Sequence, residues 1–178
     1  MNLERIMQLM PVPPDAVERK GHDWPRLESR LGLLLPQDYK EILAAYGTGA
    51  IGGFLWVLNP FSVNPSLNEG AIGYLRQAYA QMKAAFPADY PRAVSEFLPW
   101  AVTDNGDSLV WTISGNDPER WCVAVHNHDQ GAEEVSALNA SGFLAALLEK
   151  EVVSSILPRD FLMADKSFEP LRLDAGSA

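Results

Sequence analysis

Residues 31–60 read LGLLLPQDYKEILAAYGTGAIGGFLWVLNP, and their reading decides the fold. Tyr39, Ile42, Leu43 and Tyr46 fall at i, i+3, i+4 and i+7, which is one side of a helix. Lys40 and Glu41 lie off that stripe. Pro36 suits the first helical turn, where a missing N–H costs nothing. Gly47 stands where a left-handed residue would stop the helix. Phe54 to Leu58 is short and apolar, bounded by Gly53 and by Asn59-Pro60, and reads as a buried strand. Gly47, Gly49 and Gly52 spell G-x-G-x-x-G. A dinucleotide loop follows a strand and opens a helix, whereas here a helix enters and a strand leaves. The glycines therefore read as a helix-to-strand connection needing positive φ and close backbone approach.

Upstream, Leu3, Ile6, Met7 and Met10 have helical spacing, and Pro11, Pro13 and Pro14 make a stiff connector. Asp23 can cap a second helix that has Pro25 in its first turn and Trp24, Leu27 and Leu31 on its buried side. Downstream, Ser66 and Glu69 fit a capping box. Ile72, Leu75, Tyr79, Met82 and Phe86 then form the stripe of a middle helix. From Phe97 the period becomes strand-like. Trp100–Thr103 and Ser108–Ile113 flank Asp104-Asn105-Gly106-Asp107, a hairpin signal because Asn and Gly tolerate positive φ. Trp121–His126 is the next strand, and Val135–Leu138 can add a short one. Short turns between successive strands make an antiparallel meander. Asn139 or Ser141 can cap a closing helix with Phe143, Leu144, Leu147, Leu148 and Val152 on its apolar side. Phe161, Leu162, Phe168 and Leu171 tie down the tail, and Asp174 to Ala178 read as disordered.

The expected architecture is α+β: an antiparallel or mixed sheet of about four to six strands packed on N-terminal, middle and C-terminal helices. Residues 1–22 are the first helix and its Pro-rich connector, 23–157 a single domain, and 158–178 a tail packed on it. A 178-residue chain can bury roughly 70% of its unfolded surface and needs no disulfide or metal. The single cysteine, Cys122, excludes an intramolecular disulfide. No apolar run approaches the length of a membrane span and no signal peptide is visible, so a cytoplasmic protein is expected.

Trp24, Glu28, Leu31-Gly32, Leu35-Pro36, Asp38-Tyr39 and Tyr46-Gly47-Thr48-Gly49 resemble the N-terminal signature of the SUKH superfamily. Trp100, Asn105-Gly106-Asp107, Trp111 and Trp121 resemble its central strands, and Phe143-Leu144 with Leu147-Leu148 its last helix. The superfamily includes bacterial immunity proteins of toxin systems and the yeast cell-wall-assembly regulator. The resemblance implies an α+β fold that binds a protein partner and catalyses nothing, and it supplies no catalytic motif.

The net charge of −9 is unevenly placed. Residues 1–95 balance acids and bases. Residues 96–134 hold Glu96, Asp104, Asp107, Asp117, Glu119, Asp129, Glu133 and Glu134 against one base, Arg120. Such a field repels nucleic acid and favours a basic protein. These eight acids are the expected partner-binding residues. By resemblance the partner would be a toxin domain, such as a nuclease whose active site must be basic to hold phosphate. Trp111 and Trp121 would anchor it if exposed, and otherwise pack the core. His126 and His128 stand two apart, with Cys122 on the same face, but a metal site needs three or four supported ligands. The Asp104–Asp107 loop lacks the further oxygens of a calcium site. No cofactor is expected, and no enzyme is supported. The alternatives are a regulatory or scaffold protein of the same fold, and a metal-dependent enzyme using His126, His128 and nearby acids.

Overall fold

The computed structural model of the chain describes residues 2–172, so the expectation for Asp174–Ala178 lies outside the described residues. The first helix, α1, runs Asn2–Leu9 and buries Ile6. Asp23 accepts a hydrogen bond from Arg26 N at 3.2 Å and so caps α2, Trp24–Leu31. The third helix, α3, is Gln37–Tyr46, and Tyr39, Ile42, Leu43 and Tyr46 are all buried on one side. Pro36 is its N-cap rather than a residue of its first turn.

The glycine-rich segment departs from the expected plain connection. It contains a strand, β1, at Gly49–Ile51, which pairs antiparallel with β2, Leu55–Val57. Gly52 and Gly53 have φ of 60° and 62°, and Phe54 N donates to Ile51 O at 3.3 Å. Positive φ at both central residues of a tight hairpin is what a mirror-image turn requires, and glycine supplies it without steric cost. Gly47 ends the helix at a positive φ of 69°, and close approach gives a second reason for glycine. A Cβ there would lie 1.7 Å from the carbonyl oxygen of Val17 in the connector.

The middle helix, α4, spans Glu69–Ala85. Asn68 caps it, accepting from Gly70 N at 2.8 Å, so the expected Ser66–Glu69 box does not form. Glu69 instead pairs with Arg30 of α2. Ile72 and Tyr79 are buried, whereas Phe86 is 51% exposed. The helix ends at Ala85, and the non-helical Phe86 backbone, with φ −133° and ψ 66°, takes its ring off the stripe.

The meander follows as β3 Phe97–Thr103, β4 Ser108–Thr112, β5 Cys122–His126 and β6 Glu133–Val135. Asn139 caps α5, Ala140–Leu148, by accepting from Gly142 N at 3.0 Å. Val152 lies beyond that helix. After α6, Arg159–Met163, the tail adds β7, Phe168–Pro170, to β1. The sheet has seven strands in the order β6-β5-β4-β3-β2-β1-β7, and every pairing is antiparallel. Seven strands are one more than the upper end of the expectation, and the short strands β1 and β7 at the far end are not among those read from the sequence.

Strand alternation gives the sheet two covered faces. Leu98, Trp100, Leu109, Trp111, Val123 and Val125 join the main core with residues of α1, α2, α3 and α5. Phe97, Val110 and Ala124 point the other way and pack with Tyr79 of α4 and Tyr90. Trp111 and Trp121 are 2% and 3% exposed, which makes them core residues.

Candidate partner-binding surface

The residues of the N-terminal signature carry architecture. Glu28 is buried, and its Oε1 accepts from Leu35 N at 2.8 Å and pairs with Lys40 Nζ at 2.6 Å. One carboxylate thus fixes the Leu31–Pro36 turn and the start of α3. Asp38 Oδ2 accepts from Ser141 N at 2.8 Å, joining α3 to the first turn of α5. Tyr39 donates its hydroxyl to Leu58 O. Tyr46 donates to Met10 O at 2.5 Å, and partial burial pushes its pKa up to about 12. Thr48 Oγ1 donates to Glu18 at 2.5 Å and accepts from Asn59 at 2.9 Å. Each of these side chains is engaged inside the fold, although Asp38 Oδ1 is buried without a hydrogen-bond partner.

The meander sorts seven of the eight acids by sheet end, and Glu134 lies on the edge strand β6. The β3–β4 turn and the β5–β6 turn share one end, which places Asp104, Asp107 and Asp129 together with Glu133 close by. Glu96, before β3, and Asp117 and Glu119, between β4 and β5, lie at the opposite end. The structure therefore makes two acidic ends.

The acids differ in how far they are committed inside the molecule. Asp107 is 4% exposed. Its Oδ1 accepts from Asn127 Nδ2 at 3.1 Å and from His128 N at 3.2 Å, and lies 3.2 Å from His128 Nδ1. It ties the two turns together. Glu133 accepts from Arg92 Nε at 2.9 Å and Nη2 at 2.5 Å. Burial opposes its charge, but contacts with His126 and Arg92 outweigh burial and hold its pKa below the usual glutamate value. Glu134 accepts from Ser154 Oγ and from Ser155 N and Oγ. Here too burial is outweighed, by the two serines, and the pKa is lowered.

The other five acids are exposed. Asp104 accepts from Trp56 Nε1 at 2.8 Å. Asp117 caps the short 3-10 turn 118–120. Glu119 accepts from Gln37 N at 2.8 Å, at the start of α3. Asp129 lies 3.0 Å from His128 Nε2. These bonds orient Asp104, Asp117 and Glu119 and leave their outer sides in water. Sequence reasoning missed Arg92, Trp56, Ser154 and Ser155. The first two stand in segments read for hydrophobicity or as loops, and nothing local marks them as partners of the acids.

The histidines do not share a site. His126 is 3% exposed and packs against Tyr79, Tyr90 and Phe97. Its Nδ1 is 3.6 Å from Glu133 Oε1, beyond hydrogen-bond length. His128 falls past the end of β5, in the turn, where strand alternation no longer applies. No group of three or more His, Cys, Asp or Glu among the described residues could hold a metal ion. No described helix is long and apolar enough to cross a membrane.

An antiparallel sheet clad by helices, with its signature residues used in turns and caps and its exposed carboxylates at the strand ends, is the build of an α+β domain of the SUKH type. The family model described as SUKH_6, SMI1-KNR4 cell-wall, matches residues 22–144. That is more than half of the chain, and the protein belongs to this family. No curated protein and no solved structure matches it.

Proposed function

We propose that this protein is a non-enzymatic binding module that captures a basic protein through its acidic sheet ends. The partner class that fits best is a toxin domain, such as a nuclease, with the chain acting as its immunity protein. The observation that carries the reading is the placement of charge. Glu96, Asp104, Asp117, Glu119 and Asp129 are exposed, and Asp104, Asp117 and Glu119 are held in fixed orientations by internal hydrogen bonds. Orientation before contact lowers the ordering cost of binding. An acidic field of this kind steers a basic partner and typically raises its association rate by about 10–10³. Asp107, Glu133 and Glu134 belong to the same surface as its supports, since their bonds hold the turns and the edge strand in place. Family membership supports a protein partner.

The test is affinity capture at low salt, with partners identified by mass spectrometry. The native chain runs beside a variant carrying Glu96→Gln, Asp104→Asn, Asp117→Asn and Asp129→Asn. These replacements keep an acceptor oxygen for each internal bond. The expected result is a basic protein held by the native chain, released as salt rises, and lost by the variant. Capture of the same protein by both chains at every salt concentration would overturn the reading.

A further inference from the structure

The two edges of the sheet are not equivalent. At the β7 edge, Gly52 N donates to Ser167 O and Leu171 N to Thr48 O. Phe168 and Pro170 therefore turn their backbone groups outward, because hydrogen-bonded and non-bonded residues alternate along an antiparallel pair. Proline has no N–H to offer, so this edge is blunted.

The β6 edge has no such block. Asn127 N donates to Ala132 O and Ser136 N to Val123 O, in the same register that pairs Val125 with Glu134. Glu134 thus spends its backbone groups on β5, while Glu133 and Val135 point theirs away from the sheet. Among the described residues these two N–H and two C=O groups have no partner. Apolar surface lies beside them: Val135 is 68% exposed, Leu138 40% and Val153 95%. Val135, Leu138, Val152 and Val153 line a shallow groove with Glu134 and Glu151.

The exposed carboxylates outnumber the cations around this edge. Asp89 and Asp129 are exposed near its start, where the Asp89 carbonyl packs on Gly131, and Glu151 is exposed beside the groove. The nearby cations are already engaged, Arg92 by Glu133 and Lys83 by the Tyr90 carbonyl.

We infer that β6 is a docking edge that takes an extended, lysine- or arginine-bearing segment of the partner as an eighth strand. The inference rests on the proposed capture of a basic protein and names the element that does the holding. The segment exchanges backbone hydrogen bonds with Glu133 and Val135. Its basic side chains meet Asp129 and Glu151, and its alternate side chains lie on Val135 and Val153. Backbone pairing gives affinity in this mode and the side chains give selectivity.

The probe is a blocked ten-residue peptide of alternating lysine and threonine, beside the same peptide N-methylated at alternate residues. Binding to the full chain is followed by fluorescence anisotropy, and amide exchange by NMR. The expected result is binding of the plain peptide with slowed exchange at Glu133 and Val135. N-methylation, or Val135→Pro in a variant whose circular dichroism is unchanged, should weaken it about tenfold, the scale of one lost backbone hydrogen bond. Should Val135→Pro unfold the chain, the N-methylated peptide decides alone. Equal binding of both peptides would overturn the docking edge while leaving the acidic surface intact. No binding of the plain peptide would also overturn it, and capture by the native chain would still judge the broader reading separately. Concentration-dependent dimerisation lost in Val135→Pro and unaffected by the peptide would assign the edge to a second copy instead.

Discussion

Arg92 grips Glu133 with two hydrogen bonds, Nε to Oε1 at 2.9 Å and Nη2 to Oε2 at 2.5 Å, and their side chains are 11% and 9% exposed. The pair connects the loop after α4 to the edge strand β6 and closes the smaller core around Tyr79, Tyr90 and Phe97. Removing one member of a pair this buried strands the other's charge. Arg92→Met should cost about 3 kcal/mol, within the range for broken buried pairs. Arg92→Met with Glu133→Leu should recover much of that loss, because no charge is left unpaired. Urea unfolding of the two variants beside the native chain checks both values.

Glu133 and Glu134 give the fold an acid-sensitive edge. Both have folded-state pKa values lowered below the unfolded value, Glu133 by Arg92 and His126 and Glu134 by its serines, against the effect of burial. Their contribution to stability is complete above the unfolded pKa of about 4.3 and is lost as pH falls through the folded values. The melting temperature should therefore fall below about pH 4.5, and Glu134→Gln should flatten part of that fall. A melting temperature just as steep in Glu134→Gln would show that its serine bonds contribute nothing.

Gly49 is fixed by close approach. A Cβ there would lie 2.4 Å from Glu169 O and 2.6 Å from the Phe168 ring. Gly49→Ala should push β7 off β1 and leave the meander in place. Amide exchange should then speed up at Gly52 and Leu171, which donate to Ser167 O and Thr48 O, and stay slow in β4 and β5. Uniform loss of protection would show instead that β7 unfolds with the rest.

Glu28 supports the α2–α3 corner from inside. Glu28→Ala leaves Leu35 N without its acceptor and Lys40 without its carboxylate. A cost of about 2–3 kcal/mol is expected for a buried donor and a part-buried charge left unmatched. Glu28→Gln, which can still accept from Leu35 N, should cost less. Equal losses would place the effect in the ion pair alone.

Local order was legible wherever the physical signal is local. The buried side of α3, the Asp23 cap and the hairpin at Asn105-Gly106 follow from spacing and turn chemistry within a few residues, although only Gly106 of that pair takes a positive φ. The meander was legible for the same reason, since its strands are joined by short turns. The capping of α4 was misread because Ser66 and Asn68 both fit a helix start, and the path of the chain after Leu67 chooses between them.

By itself the sequence determined an acidic α+β chain with a helix–turn–strand centre and the residues of a SUKH domain. The tertiary structure decided the rest. Strands β1 and β7 are three residues each, too short to show a period, and they exist because residues 168–170 return to pair with residues 49–51. The eight acids look alike along the chain, yet Glu133 finds Arg92 41 positions away and Glu134 finds Ser154 20 positions away. Whether a carboxylate faces water or holds the fold depends on such distant partners, because a charge is visible in the sequence and its neighbours in space are not.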